Sequence, residues 1–150
     1  MTNVSCFSMP HPLDDQGFKM DYGGHDSVFR ENLVITFPSK WRQMCIDFGG
    51  FLPLHGHMVV ENTCIVPGEE PIMIFSTCQH SNVVSARNRY FTPSGNATVI
   101  CGYGSVPVSL TKVQHFGLEK GSTVQRNPSQ IYPILALVMK HLFQDGIGTA

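Results

Sequence analysis

Short apolar runs separated by turn residues dominate the chain from residue 32 onward. The runs are rich in β-branched and aromatic residues, and breakers such as Pro38-Ser39, Gly49-Gly50 and Pro67-Gly68 interrupt them. Many short strands with Gly and Pro turns are typical of a β-sandwich or a small β-barrel. The predicted strands are 32–37, 43–48, 57–66, 71–77, 82–86, 90–92, 97–101 and 106–113.

The two ends of the chain have a different pattern. Residues 1–31 are rich in Gly, Pro and Asp, which predicts an irregular N-terminal arm before a barrel over 32–126. Residues 127–150 are predicted to form a C-terminal helix and tail. The helix is apolar around almost its whole circumference, so one face is expected in a dimer or partner interface. The predicted interface residues are Ile134, Leu135, Val138, Met139, Leu142 and Phe143.

The composition points toward protein partners. With 150 residues the chain fits one domain, and only 14% of its residues are charged, against a typical value of about 25%. So little charge indicates a partner or a self-association face. The net charge of −1 gives no electrostatic reason to expect nucleic acid, and no apolar run reaches the roughly 20 residues that span a membrane.

Five cysteines are present, an odd number without C-x-x-C spacing. This pattern predicts reduced, buried cysteines in an intracellular protein rather than a disulfide or zinc framework.

Two histidines and a carboxylate are spaced so that one strand face would hold them. The pattern Gly49-x5-His55-x-His57-x3-Glu61-x6-Gly68 resembles the first signature motif of the cupin barrels. Side chains two residues apart on a strand point to the same face. His55, His57 and Glu61 would then offer two nitrogens and one oxygen to Fe, Mn, Ni or Zn.

The second cupin motif retains its turn but lacks its metal histidine. Pro93, Gly95 and Asn96 match the turn, while Thr98 stands in the histidine position. The stretch 91–100 resembles the metal-free cupin at the C-terminus of centromere protein C. This resemblance extends over about residues 46 to 114 and assigns Gly68 to an earlier turn of the barrel.

The resemblance implies an all-β, double-stranded β-helix (jelly-roll) barrel without a cofactor. The family's cupin forms a homodimer within a kinetochore scaffold and docks centromere assembly or cohesion factors. A nuclear, centromeric protein that binds itself and a protein partner is therefore expected.

Two other classes of function fit parts of the sequence. A small metal-dependent dioxygenase or isomerase would use His55, His57 and Glu61 as ligands. A trimeric barrel of the dUTPase type fits the length and the stretch 121–125, but the chain lacks the catalytic aspartate motif of such enzymes.

Overall fold

The computed structural model describes residues 6–7, 15–20, 26–36, 43–48, 55–66, 68, 72–75, 78–79, 82–102, 104–127, 131, 133 and 137. Within these ranges the chain forms short strands and one short helix. The strands are β1 (Cys6–Phe7), β2 (Asp15–Met20), β3 (Val28–Arg30), β4 (Leu33–Ile35), β5 (Gln43–Phe48), β6 (His57–Val60), β7 (Thr63–Ile65), β8 (Met73–Phe75), β9 (Val83–Ala86), β10 (Arg89–Thr92), β11 (Thr98–Cys101), β12 (Val108–Ser109) and β13 (Thr123–Arg126). The helix, α1, is Leu110–His115.

These strands stack into three sheets. Their orders are β1–β4–β7–β10–β13, β12–β11–β8–β5–β2 and β3–β6–β9. From β1 to β11, successive strands along the chain belong to different sheets, and the strands that pair in parallel come from successive windings of the chain. Val34 and Tyr90, for example, both lie in register with Cys64. The architecture is therefore a parallel β-helix, in which each winding, or rung, contributes one strand to each sheet.

The all-β class predicted from the sequence is confirmed, but the pairing is not that of a jelly roll. A jelly roll is built from antiparallel strands. Among the described residues nine of the ten strand pairings are parallel, and the β11–β12 pair is antiparallel. The jelly-roll prediction rested on the strand spacing and on the cupin-like motifs, and short strands with Gly and Pro turns occur in both architectures.

Two local predictions need correction. Residues 1–31, expected to be an irregular arm, contribute β1, β2 and β3 to the three sheets. The run 106–113, expected to be a strand, is a strand only at β12 and then becomes α1. Ser109 starts this helix because its hydroxyl accepts a hydrogen bond from the backbone N–H of Lys112, as an N-cap residue does.

One tight turn recurs between the third and the first sheet. Two residues separate β3 from β4, β6 from β7, and β9 from β10. The first of the two has a positive φ each time: 57° at Glu31, 60° at Glu61 and 52° at Arg87. The second is each time an asparagine, and these asparagines connect neighbouring rungs.

Those asparagines form a ladder along the β-helix. The Asn62 Oδ1 atom accepts hydrogen bonds from the backbone N–H and the Nδ2 of Asn32, both at 3.0 Å. Asn88 Oδ1 accepts in the same way from the N–H of Asn62 at 2.9 Å and from its Nδ2 at 3.1 Å. At the next rung Ser122 takes over, because its hydroxyl accepts from the N–H of Asn88 at 2.9 Å. Asn62 and Asn88 are buried, so the ladder satisfies polar groups that water cannot reach.

The core inside the three sheets is apolar and braced by two disulfides. Cys45–Cys64 joins β5 to β7, and Cys78–Cys101 joins the segment after β8 to β11, with Cα–Cα distances of 6.2 and 5.1 Å. The prediction of reduced cysteines is therefore wrong. An odd number of cysteines does not exclude a disulfide framework, because four of the five cysteines form two pairs.

At the C-terminal end, Ile131, Pro133 and Leu137 have helical conformation. The predicted interface residues lie outside the described part of the chain: Ile134, Leu135, Val138, Met139, Leu142 and Phe143. Among the described residues, no helix is both long and apolar enough to cross a membrane.

Candidate protein-binding face

The residues proposed as metal ligands lie in different surroundings. His57 begins β6, is buried, and stacks on Phe48 with ring centroids 5.3 Å apart. Its Nδ1 lies 3.4 Å from the backbone N–H of Ser27, which donates to it. His55 lies on the surface before the strand, with its Nδ1 2.7 Å from the Asp26 carboxylate.

Glu61 is engaged by two guanidinium groups. Its Oε2 accepts from Arg30 Nε at 2.9 Å, and its Oε1 accepts from Arg87 Nε at 2.9 Å. The hydrogen bond from Arg87 lowers the pKa of the Glu61 carboxyl most, and the hydrogen bond from Arg30 adds to it. Three rungs are thus linked by one ion-pair ladder at the turn, and Glu61 works there as its central anion.

A metal site does not fit this geometry. His57 faces the core against Phe48, His55 pairs with Asp26, and Glu61 bridges two arginines. In the described ranges no three His, Cys, Asp or Glu side chains are grouped as metal ligands would be. The positive φ at Glu61 ends the strand, so the regular alternation that would bring its carboxylate beside His57 stops there.

The turn predicted from the second motif joins β10 to β11. Gly95 has a φ of 80°, which suits a glycine, and its N–H donates to the Thr92 hydroxyl at 3.1 Å. Pro93 and the exposed Asn96 belong to this turn, and Asn96 N–H donates to Ser94 Oγ at 3.0 Å.

Gly68 and Thr98 also lie in the described chain. Gly68 is half-buried, and Thr98 is the first residue of β11.

A buried polar cluster that the sequence did not reveal closes the ladder. The Glu119 carboxylate is fully buried and accepts hydrogen bonds from Tyr90 Oη at 3.0 Å, from Asn88 Nδ2 and from Ser85 Oγ. Burial raises the pKa of Glu119 above its usual value, and burial also raises the pKa of Tyr90. The cluster is enclosed and its carboxylate accepts several hydrogen bonds. We therefore assign it a structural role.

The surface feature that stands out is a row of exposed apolar side chains on the β3–β6–β9 sheet. Val28, Met58 and Val84 lie in register on neighbouring strands and are 62%, 39% and 54% exposed. Their strand neighbours Val59 and Val83 belong to the core, so the row points outward. We call Val28, Met58 and Val84 the apolar row.

The surface around the apolar row is nearly flat, with polar residues at its edge. A shallow depression of about 240 Å³ lies along it, bordered by Asp26 and Gly56. Gly56 has to be a glycine here, because a Cβ would collide with the carbonyl oxygen of Asn82, the residue before β9. Asn82 Nδ2 in turn donates to the carbonyl of His55 at 3.2 Å, which fixes the entry to both strands.

Comparison with known proteins does not add to this geometry. No family model, curated protein or solved structure matches the chain.

Proposed function

We propose that this chain is a non-catalytic protein-interaction segment, a disulfide-braced β-helix that binds protein through the β3–β6–β9 face. The observation that carries the proposal is the apolar row. Parallel sheets are normally covered on both faces, and here the outer face of one sheet presents three apolar side chains to solvent. Full burial of a side chain such as Val or Met is worth roughly 1.5–3 kcal/mol, so covering this row favours association.

The rigidity of the scaffold also favours binding. The row stands on backbone that is hydrogen-bonded on both sides at β6, and the asparagine ladder fixes the adjoining turns. A preformed surface loses little conformational entropy when it docks, so more of the burial energy is available as affinity.

The proposal keeps the interaction role that the cupin resemblance implies, with self-association and a protein partner. It does not keep the centromeric role or the nuclear location. The parallel pairing differs from a jelly roll, so the centromere role loses its structural basis. Disulfides persist mainly in oxidising compartments. The pairs Cys45–Cys64 and Cys78–Cys101 therefore favour a secreted or otherwise oxidising location over the nucleus.

The test compares two glutamate substitutions at exposed apolar positions. Met58→Glu places a charge in the centre of the apolar row, whereas Val106→Glu does so at an 81% exposed site before β12, away from the row. The apparent mass of each chain is measured by size-exclusion chromatography, at trace concentration in an extract of the producing culture that includes its medium and contains no reductant. We expect wild type and Val106→Glu to elute above the mass of one chain and Met58→Glu to elute at that mass. Identical elution of all three would overturn the proposal.

A further inference from the structure

We propose that a second copy of this chain occupies the β3–β6–β9 face, in a two-fold dimer whose axis runs across the strands along the apolar row. This inference rests on the proposed function and names its partner. A two-fold interface uses the same patch on both copies, so the patch must be complementary to itself. The chemistry on either side of the row meets this condition.

The axis determines which residues meet. Rotation about a line through Val28, Met58 and Val84 brings each position before the row against the position equally far after it on the other copy. The strands of the two copies then run antiparallel, with their sheets about 10 Å apart. Two residues before the row stand Asp26, Gly56 and Asn82, and two residues after it stand Arg30, Val60 and Ala86.

Charge agrees with this pairing. Asp26 faces Arg30 of the other copy, and both side chains are more than half exposed in the single chain. Gly56 and Val60 also face each other, and Val60 is buried within its own chain, so this pair adds no protruding side chain to the interface.

The two face-to-face arrangements make different charge contacts. An axis along β6 would place β3 of one copy over β9 of the other, with Arg30 over Ala86 and Glu31 over Arg87. Only the axis across the strands pairs Asp26 with Arg30 beside the apolar row, and that contact is the basis of the proposed register.

A cross-linking experiment separates the two axes. In a Cys6→Ser background, which leaves only the disulfide cysteines, Val28→Cys and Val84→Cys are prepared singly and treated with a bis-maleimide that spans about 10 Å. The axis across the strands places each position opposite its own copy, so each single variant should cross-link to itself. A mixture of the two should give little hetero-cross-linked product. Efficient hetero-cross-linking with weak self-cross-linking would mean the other axis and would overturn the proposed register.

Charge reversal tests the predicted contact. The dimer dissociation constant is measured by analytical ultracentrifugation for Asp26→Lys, Arg30→Glu and the double variant. Each single reversal should weaken the dimer about tenfold, a change of about 1.4 kcal/mol, and the double reversal should restore most of it. Lys112→Glu, an exposed lysine on α1, is the matched control and should leave the constant unchanged.

The outcomes also separate this inference from the proposed function. A purified chain that stays monomeric at every concentration overturns the second copy as occupant. If Met58→Glu still lowers the apparent mass in extract, the face binds a different protein and the proposed function stands. If neither purified chain nor extract shows an effect of Met58→Glu, both proposals fail.

Discussion

Two sheets of this β-helix carry apolar side chains on their outer faces, and these side chains differ in solvent exposure. In the β1–β4–β7–β10–β13 sheet, Ile35 and Ile65 lie in register beside the core residues Val34 and Cys64, so both point outward. They are only 1% and 7% exposed. The apolar row on the β3–β6–β9 sheet points outward in the same way and remains exposed. The chain covers Ile35 and Ile65 itself and leaves the apolar row in solvent, so similar side chains have different surroundings on the two sheets.

The strongest test of this contrast is a pair of truncations, one on each face. Ile65→Ala removes a buried side chain and should lower the free energy of unfolding by about 2–5 kcal/mol. Met58→Ala removes an exposed one and should change it by about 0.5 kcal/mol or less. Urea unfolding at concentrations below self-association measures both. Equal losses would mean that the apolar row is covered within the single chain, and the contrast would disappear.

The disulfides sharpen the contrast, since they attach to the other two sheets. Replacing Cys78 and Cys101 by serine should cost about 2–4 kcal/mol, because the bridge closes a loop with a sequence separation of 23 residues. Hydrogen exchange should accelerate most in β11 and its partner β8 and least in β3 and β6. Uniform acceleration over all three sheets would instead indicate one cooperative unit.

The asparagine ladder joins the exposed sheet to the covered one through the turn after β6. Asn62→Ala leaves the backbone N–H of Asn32 and the amide of Asn88 short of partners and should cost about 1–3 kcal/mol. Asn96→Ala, at an exposed turn asparagine, is the matched control and should be nearly neutral. Thermal unfolding measures the melting temperature of both variants. Equal decreases would mean that the buried ladder is no more important than an exposed turn asparagine.

The smallest expected effect concerns Glu119, which contacts β9 of the exposed sheet and β10 of the covered one. Burial raises the pKa of its carboxyl above the usual 4.5, so the folded chain binds this proton more tightly than the unfolded chain. The resulting stability is present below the unfolded pKa and is lost as the pH rises through the folded pKa. Glu119→Gln stays neutral, so its stability relative to wild type should increase from pH 4 to pH 7. Parallel pH profiles for the two proteins would contradict this.

Local sequence patterns located many strands and did not reveal how they pair. The predicted strand 43–48 is β5 to the residue, and the predictions 82–86 and 97–101 each begin one residue before β9 and β11. Strand formation depends on nearby residues, whereas parallel or antiparallel pairing depends on contacts about 30 residues apart. The signal for the rungs is nevertheless present: Asn32, Asn62 and Asn88 each precede an apolar run, and a proline follows at 38, 67 and 93. Their unequal spacings of 30 and 26 residues hid the repeat.

The candidate face was beyond sequence reasoning for a different reason. The run His57–Val60 is apolar at three of its four positions, which is typical of a strand buried on both faces. Whether Met58 is covered depends on what the rest of the chain packs over it, and no local pattern records this. The motif of His55, His57 and Glu61 had the spacing of ligands, but the left-handed turn at Glu61 and the competing arginines gave its members separate roles.

The stacked rungs also tie the length of the β-helix to the number of windings. Neighbouring strands lie about 4.8 Å apart, so each winding of 26 to 30 residues lengthens the β-helix by that step and leaves its cross-section unchanged. Duplication of one whole winding would add one residue to the apolar row and one asparagine to the ladder, while insertion of part of a winding would break both. The length of the β-helix and the number of residues in the apolar row therefore increase together, by one step for each duplicated winding.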